Sequence, residues 1–470
     1  MSAVVARVEG SPEGGSGDSV LDDLVALTRS ITYERMTEEE RHGVKRVLLD
    51  ALGCALGAVD AKAAQIARNI AASAAVVDGC TLIGDPRRPH GDFAAFANGV
   101  MVRYLDFNDT YASPQGVGHP SDYIPAVLAA AEEAGSSMPQ VVQGIAIAYE
   151  VFARFSDAAR LGVEGWDHVL AGDLASALAA AVLWELDDDQ LRHAASLSLT
   201  PNFGLQATRL GELSMWKGCA SANACRNGLF AARLAREGLS GPPAPFLGRG
   251  GMEAVLGKEV LRDPLARGDA PLAVGCSNIK HYPAGYFSQG AIELARELGS
   301  RLTSHEDIAE VDVGTFAFGL RVMAGDQAKW RPATRESADH SIPYVVASAL
   351  VHGDLRVEHF TPEALADPAV ARILEHLRVH EDPECAAAWP QEVMTRIRVT
   401  TSSGAVEEGA IRAYRGHATN PMSDREIEQK VTNLAAGRLS AGQLERLFSA
   451  IWKLEEMPGV EAVLKLTHLA

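Results

Sequence analysis

Apolar residues recur at helical spacing through the first half of the chain, which predicts one helix after another. Ser19 can cap the first helix, whose apolar stripe consists of Val20, Leu21, Leu24, Val25 and Leu27. Thr37, with Glu40 three residues later, is typical of a capping box and predicts the start of a second helix. Gly53 and Gly57 on that helix favour the close approach of another helix. No segment before about residue 270 indicates a β-sheet.

The segment 173–184 is nearly all Ala and Leu, which is too apolar for a surface helix and predicts a helix at the centre of a bundle. Polar and apolar residues partly alternate in 308–318, and a second alternating run consists of Val393, Thr395, Ile397 and Val399. Ser402-Ser403-Gly404 then predicts a turn, with 405–411 as the returning strand of a hairpin. Further helices are expected at 342–351, 362–377, 424–435 and 440–456, the last capped by Ser440.

These patterns predict a mainly α protein in which a large all-helical domain is interrupted by a smaller α+β domain. The predicted limits are a disordered N-terminal tail at 1–19, the all-helical domain at 20–274, the α+β domain at 275–415 and C-terminal helices at 416–470. The tail is rich in Gly, Ser and acidic residues, and it has neither the cationic start nor the apolar core of a signal peptide.

The composition is that of a folded chain with an acidic surface. Its 470 residues are 47% hydrophobic, and 43 Lys and Arg against 61 Asp and Glu give a net charge of −18. We expect no general affinity for nucleic acid or for an anionic membrane, because phosphate binding needs a basic face. An anionic small molecule would require a locally basic pocket. No stretch is apolar for long enough to cross a bilayer.

The six cysteines are scattered, and none forms a CxxC pair. No spacing of Cys and His is typical of a zinc or iron–sulfur site, so no metal is predicted. We interpret these cysteines as the reduced thiols of a cytoplasmic protein. The nucleotide-binding patterns GxGxxG and Walker A and the hydrolase patterns GxSxG and HExxH do not occur in the sequence.

Polar groups are densest in 104–111 and in Gly118-His119-Pro120-Ser121-Asp122. The second segment places His119 beside the expected start of a helix, where free N–H groups favour an anion. The alternative is that Asp109 and Thr110 cap helices and that His119 is a surface loop residue.

Two further candidates lie next to predicted helices of the large domain. Trp166-Asp167-His168 precedes the apolar helix, and His168 is either a functional residue or a satisfied core histidine. Lys217 is followed by small residues, so it either extends to solvent or is held as a fixed cation for a carboxylate.

The α+β domain contributes two more polar segments. Lys280-His281-Tyr282-Pro283-Ala284 precedes a predicted helix. The segment 332–344 contains Arg335 and His340 and ends at a helix that Ser341 can cap. A solvated, capped helix start is the alternative interpretation of this second segment.

Taken together and in order, these segments resemble the 2-methylcitrate dehydratase family, the MmgE/PrpD superfamily. The resemblance rests on LDFNDTY, GHPSDYIPAVLA, WDHVLAGDLASA, WKGCASANACRNGLFAA, KHYPAGYFSQGAIE, PATRESADHSIPYVVA and YRGHATNPMSDREIEQKV. It covers nearly all of the chain after about residue 20. It implies a large helical domain completed by the C-terminal helices, an inserted α+β lid and a homodimer.

The resemblance also implies an enzyme that acts on small di- or tricarboxylates with neither a metal nor an organic cofactor. Members of the family dehydrate 2-methylcitrate, decarboxylate cis-aconitate or epimerise iminodisuccinate. Each reaction moves a proton at a carbon next to a carboxylate, so fixed cations and donors must meet the charge that develops. We expect a carbon–oxygen lyase that removes water from 2-methylcitrate or a similar hydroxy-tricarboxylate. The alternatives are the epimerase, the decarboxylase and, outside enzymes, a non-catalytic carboxylate-binding protein.

The family motifs assign expected roles to individual residues. An imidazole titrates near neutral pH, so the two histidines His119 and His168 would form an acid/base pair. Asp106 would orient a histidine or a lysine, and two lysines would hold substrate carboxylates. The expected catalytic residues are His119, His168, Asp106 and Lys217. The expected substrate-binding residues are Thr110, Lys280, Arg335 and His340, of which the last two could instead be structural at the lid edge.

One position departs from the decarboxylase pattern. Decarboxylating members carry a pocket histidine shortly after the lid lysine, in the pattern KxFPAH, whereas this chain has Gly285 in KHYPAG. This departure argues against decarboxylation, and it leaves open which group of the lid acts as an acid.

Overall fold

The computed structural model describes residues 18–113, 116–159, 165–257 and 270–469, together with 259, 261, 265 and 268. The protein is mainly α-helical, as predicted. The helices of the first half are α1 (Ser19–Ser30), α2 (Glu38–Ala58), α3 (Lys62–Ser73), α4 (Gly91–Tyr104), α5 (Ile124–Ala134), α6 (Met138–Ala158), α7 (Val169–Leu183), α8 (Asp188–Leu199), α9 (Ala220–Arg236) and α10 (Met252–Leu256). Those of the second half are α11 (Gln289–Gly299), α12 (Ala317–Ala324), α13 (Gln327–Trp330), α14 (Arg335–Ala338), α15 (Ile342–His352), α16 (Pro362–Leu365), α17 (Pro368–Glu375), α18 (Pro383–Ala388), α19 (Asp424–Leu434), α20 (Ala441–Trp452) and α21 (Val460–Leu464).

The strands form a short hairpin and one mixed sheet. Their bounds are β1 (Tyr111–Ser113), β2 (Gly116–Gly118), β3 (Ile308–Thr315), β4 (Leu377–Glu381), β5 (Thr395–Thr401) and β6 (Val406–Ile411). The sheet has the order β4-β3-β5-β6, with β3 parallel to β4 and antiparallel to β5. The predicted hairpin of β5 and β6 is confirmed, with Val399 opposite Glu407.

Several predicted boundaries are wrong for identifiable reasons. The cap of α1 is Asp18 and not Ser19, because the Asp18 carboxylate accepts the N–H of Val20 at 3.2 Å. The helix expected at 362–377 is two helices, since Asp367 caps a new helix by accepting the N–H of Ala369 at 2.8 Å. The hairpin β1–β2 contradicts the expectation of no β-structure before residue 270; its strands have three residues each, too few for an alternating pattern.

The C-terminal helices pack into the same apolar core as the first half of the chain. This cluster extends from Val20 to Ile279 and resumes from Met422 to Leu464, whereas a second cluster contains residues from Tyr282 to Tyr414. Helix α19 lies against the two glycines of α2: a Cβ on Gly53 would lie 2.6 Å from Cγ2 of Val431. The close helix approach predicted from these glycines is therefore confirmed, and the action of the α+β part as a lid stays a prediction.

Helix α7 is buried along its length, as predicted for the Ala- and Leu-rich segment, and it begins directly after His168, as expected. A Cβ on Gly172 of this helix would lie 1.9 Å from the ring of Tyr123, so the helix and the segment after His119 are in close contact. The six cysteines are free thiols, five of them buried. Among the described residues, no helix is both long and apolar enough to span a membrane.

Candidate active site

The first element of the site is a strained turn at the end of α4. Asp106 follows this helix with a φ of +52°, a left-handed conformation that turns its buried side chain back toward Arg103. The carboxylate oxygen Oδ1 of Asp106 accepts from the Arg103 guanidinium and, at 2.9 Å, from Nζ of Lys280. Burial would raise the pKa of Asp106, but Arg103, Lys280 and Lys217 hold it well below its usual value. Asp106 is therefore a buried carboxylate anion.

Lys280 reaches this turn because two segments distant in sequence pair through their backbones. The N–H of Thr110 donates to the carbonyl of Asn278 at 2.9 Å, and the N–H of Asn278 donates back at 2.8 Å. The Lys280 ammonium also donates to the carbonyl oxygen of Asp106 at 2.9 Å. Burial lowers the pKa of Lys280 to about 8, against the opposing effect of Asp106. Lys430 of α19 fixes the same region by donating to the Lys280 carbonyl at 2.8 Å.

His119 is buried, so the interpretation of this histidine as a surface loop residue is wrong. Its Nδ1 lies 2.7 Å from the carbonyl oxygen of Asp109, which can only accept a hydrogen bond. Its Nε2 lies 3.0 Å from Nη2 of Arg103, which can only donate. His119 is therefore neutral with the proton on Nδ1, and both ring nitrogens are occupied. Burial, together with Arg103 and Lys280, holds its pKa well below the usual value.

His168 has a different environment at the start of α7. Its Nδ1 lies 3.0 Å from Oδ1 of Asp167, and its ring centroid lies 6.0 Å from that of His119. Among the described residues, no group hydrogen-bonds to its Nε2. Burial lowers the pKa of His168 to about 4, with Asp167 opposing this shift. The arrangement leaves a neutral imidazole with an unoccupied nitrogen, which differs from a core histidine whose hydrogen bonds are satisfied.

Asp167 is itself held by Arg209. The Arg209 guanidinium donates to Oδ2 of Asp167 at 3.0 Å and to Oδ1 at 3.3 Å, and its Nη1 donates to the carbonyl of Lys217 at 3.0 Å. Burial would raise the pKa of Asp167, but Arg209 and His168 lower it. Arg209 thus connects the segment that carries His168 to the segment that carries Lys217.

Lys217 is buried and does not extend to solvent. Its Nζ donates to Oδ1 of Asp339 at 2.6 Å and lies 3.0 Å from Nδ1 of His340. The Nδ1 of His340 lies 2.7 Å from Oδ1 of Asp339 and 3.3 Å from Oδ2 of Asp106. Lys217, Asp339 and His340 therefore join the Arg103–Asp106–Lys280 cluster through Asp106.

The remaining two predicted residues differ in position. The hydroxyl of Thr110 lies 3.3 Å from Nδ1 of His119, so Thr110 belongs to the cluster. Arg335 does not contact the other predicted site residues in the described part of the chain. Its guanidinium donates to the carbonyl of Leu105 at 3.1 Å and lies 4.9 Å from the ring centroid of Phe360. Arg335 supports the turn that carries Asp106.

One group of side chains has the composition of a metal site. Ligand atoms of Asp106, Asp339 and His340 lie within 4.8 Å of one another. The Lys217 ammonium lies among them, at 2.6 Å from Asp339 Oδ1, 3.0 Å from His340 Nδ1 and 3.9 Å from Asp106 Oδ2. These carboxylates are thus arranged around an ammonium cation of the chain itself.

Sequence analysis did not nominate Arg103, Asp167, Arg209 or Asp339. Arg103 had a detectable signal, since it is the one charged residue in the apolar segment 93–104 and precedes Asp106 by three positions. Asp167 and Asp339 each directly precede a nominated histidine, a repeated Asp-His pair that the sequence displays. Arg209 ends a short 3₁₀ helix (Gln206–Arg209), and no local pattern indicates its contact with Asp167.

Two family models match the chain. The MmgE/PrpD N-terminal domain matches residues 22–262, and the MmgE/PrpD C-terminal domain matches residues 282–456. Together these matches cover most of the 470 residues, and the chain belongs to the MmgE/PrpD family. The family resemblance predicted from the sequence motifs is confirmed.

Curated relatives resemble the chain over most of their length. The 2-methylcitrate dehydratase of Salmonella typhimurium is 28% identical over 363 residues, which are 73% of this chain and 74% of the relative. The 2-methylcitrate dehydratase of Cupriavidus necator is 27% identical, and the aligned region covers 94% of this chain and 95% of the relative. The cis-aconitate decarboxylase-like protein oryM of Aspergillus oryzae is 26% identical, and the aligned region covers 97% of this chain and 98% of the relative.

Proposed function

We propose that the protein is a carbon–oxygen lyase that removes water from 2-methylcitrate or a similar hydroxy-tricarboxylate without a cofactor. The observation that carries this proposal is the unoccupied Nε2 of His168, supported by Asp167, beside a cluster of buried cations. The names of the relatives from Salmonella typhimurium and Cupriavidus necator support the reaction and the substrate class.

The geometry supports His168 as the base that removes a proton from the carbon next to a substrate carboxylate. A pKa of about 4 keeps its imidazole neutral near pH 7, so Nε2 has a lone pair available for the proton. The negative charge that develops on the carboxylate needs cations fixed beforehand. Lys217 and Lys280 are assigned to that role, with the Thr110 hydroxyl as a donor, and Asp106 positions Lys280.

His119 is assigned a positioning role within this proposal, although the family motifs led us to expect an acid/base role. Its Nε2 accepts from Arg103 and its Nδ1 donates to the Asp109 carbonyl, so a proton transfer at either nitrogen would break a buried hydrogen bond. Arg103, held in place by His119, in turn orients the carboxylate of Asp106.

Decarboxylation is the second candidate, because the Aspergillus oryzae relative is named as decarboxylase-like. The surroundings of Gly285 argue against it. A Cβ on Gly285 would lie 2.8 Å from Cε of Met323, so the space for a side chain at this position is already filled. A histidine here, as in the decarboxylase pattern, would require Met323 to move.

The test is to incubate the purified protein with citrate-like acids and to follow the ultraviolet absorbance of a new conjugated C=C bond. We expect 2-methylcitrate to give this signal and His168→Asn to reduce the rate by about 10²- to 10⁴-fold. The control is His380→Asn, since His380 also contacts an aspartate, Asp312 at 2.8 Å, but is half exposed on the sheet. A flat trace with every acid, or full activity in His168→Asn, would contradict the proposal. Deuterium uptake from solvent without net turnover would instead indicate the epimerase.

The proposal includes the homodimer and the lid that the family resemblance implies. If the protein is a homodimer, light scattering should give a molecular mass of about twice 49.9 kDa. A monomer that turns over substrate would show that one chain suffices.

A further inference from the structure

The proposed dehydration needs a proton donor for the departing hydroxyl group, and this inference rests on that proposed function. His168 is assigned to the base, and both nitrogens of His119 are occupied by the protein. The histidine of the decarboxylase pattern is replaced by Gly285 in this chain. The N–H of Gly285 donates to the carbonyl of Asp339 at 2.7 Å. The Asp339–His340 pair therefore lies next to the position where the decarboxylase pattern has its histidine.

Asp339–His340 repeats the arrangement of Asp167–His168. In each pair an aspartate directly precedes the histidine, and a carboxylate Oδ1 lies close to the histidine Nδ1, at 2.7 Å in Asp339–His340 and 3.0 Å in Asp167–His168. In the imidazolium form, Nδ1 donates to these carboxylate oxygens, which only accept. The Lys217 ammonium donates to Asp339 at 2.6 Å and lies 3.0 Å from Nδ1. The polar contacts of the His340 ring with the described residues are all at Nδ1, which leaves Nε2 for the substrate.

The histidines of the two Asp–His pairs are more exposed than His119. The side chains of His168 and His340 are 23% and 20% exposed and that of His119 is 7% exposed, although Nε2 of His168 is itself buried. The pairs lie on either side of Asp106. Its Oδ2 is 3.3 Å from Nδ1 of His340, and its Oδ1 is 4.0 Å from Nε2 of His119, whose ring neighbours His168.

We propose that His340, oriented by Asp339, is the proton donor to the leaving hydroxyl group. In this step Nε2 of His168 takes the proton from the carbon next to the carboxylate, and the C–H electron pair forms the C=C bond. The C–O bond breaks with its electron pair on oxygen, and that oxygen takes the proton from Nε2 of His340, which gives water. His168 then carries the abstracted proton, and His340 is neutral.

His340 must gain its proton when the substrate binds. In the free protein, burial and the Lys217 ammonium lower its pKa to about 4, while Asp106 and Asp339 oppose this shift. The groups that face the ring are therefore Lys217 from the segment before α9, Asp106 from the end of α4 and Asp339 next to it. A bound polycarboxylate adds negative charge beside Lys217 and favours the imidazolium form. Substrate binding is thus coupled to the uptake of a proton at His340.

The variant His340→Asn tests this assignment, because an asparagine retains an N–H for Asp339 and has no group in place of Nε2. Two reactions are compared in wild type and variant: dehydration of 2-methylcitrate, and deuterium exchange from solvent into propane-1,2,3-tricarboxylate, which has no hydroxyl group to lose. We expect dehydration to fall at least about 100-fold and exchange to fall less than about tenfold, because exchange needs only the base. His168→Asn should lose both reactions, and His380→Asn neither.

Proton uptake provides a readout that does not depend on turnover. Calorimetric titration of propane-1,2,3-tricarboxylate in buffers of different ionisation enthalpy should show uptake in wild type and none in His340→Asn. The inference is overturned if the variant dehydrates within about tenfold of wild type, if exchange is lost together with dehydration, or if uptake persists. Failure of wild type to dehydrate any acid would refute the proposed function itself, and the titration would still decide whether His340 takes the proton.

Discussion

Asp106 is the charge that holds the buried cations of the site together, so its removal should destabilise the protein strongly. Asp106→Asn keeps the size of the side chain, removes the negative charge and replaces one acceptor oxygen by an NH2 donor. Asparagine also tolerates the left-handed backbone at φ +52°, so the substitution adds little strain. The variant therefore removes the counter-charge with little change in volume or backbone strain.

The expected magnitude follows from the burial of the partners. Arg103 and Lys280 both bond to Oδ1 of Asp106, and the side chains of the two cations are 2% and 0% exposed. Removal of one member of a buried ion pair costs about 3–5 kcal/mol, because the other charge is left without compensation. We expect Asp106→Asn to lose this amount, and Asp106→Ala to lose about 1 kcal/mol more through the strained backbone. Lys280→Met combined with Asp106→Asn should recover at least about 1 kcal/mol, since one unpaired cation is then absent.

The assay is urea unfolding followed by far-ultraviolet circular dichroism. The control is Asp60→Asn, which removes the carboxylate of an ion pair with Arg438 whose aspartate is 71% exposed. An exposed pair contributes little, so this control should lie within about 0.5 kcal/mol of wild type. A loss below about 1 kcal/mol in Asp106→Asn, or an equal loss in both variants, would refute the assignment of Asp106 as the central counter-charge.

Three other predictions concern the base and the central helix. On the acid side kcat/KM should fall as pH drops through about 4, because the proton acceptor His168 is inactive once protonated; an acid limb near pH 6.5 would contradict this. At higher pH kcat/KM should decline as well, because His340 must take up a proton when the substrate binds. Arg209→Gln should move that acid limb to higher pH, because the guanidinium lowers the pKa of His168, and an unmoved limb would show that Arg209 is only structural. Gly172→Ala should cost at least about 2 kcal/mol by urea unfolding, since its Cβ would overlap the ring of Tyr123. Gly442→Ala, with an open Cβ position, is the matched control and should be at least as stable as wild type.

Much of the fold follows from local sequence signals. The capping box of Thr37 with Glu40 begins α2 as predicted, and Ser440 caps α20. The alternation around Ile397 places β5 correctly, because a strand with one buried face repeats every two residues. The short hairpin at Tyr111–Ser113 could not be predicted in this way, since three residues carry no period.

The site is predicted less completely than the fold, because its contacts join segments far apart in the chain. The family motifs nominate Asp106, Lys217, Lys280 and His119, and the structure brings all four into one cluster. The same motifs do not reveal that His119 is locked between Arg103 and a backbone carbonyl. That distinction depends on which atom faces each ring nitrogen, and residue spacing carries no information about it.

The most direct test of the central claim is chemical rescue of the base. His168→Ala removes the imidazole that we assign to proton abstraction, and imidazole added to the solution can occupy the space it leaves. We predict that the variant loses at least about 100-fold in dehydration rate, and that imidazole restores the rate in proportion to its concentration. Substituted imidazoles of higher pKa should restore it more effectively. Full activity in the variant, or a loss that no imidazole restores, would contradict the claim that Nε2 of His168 takes the proton.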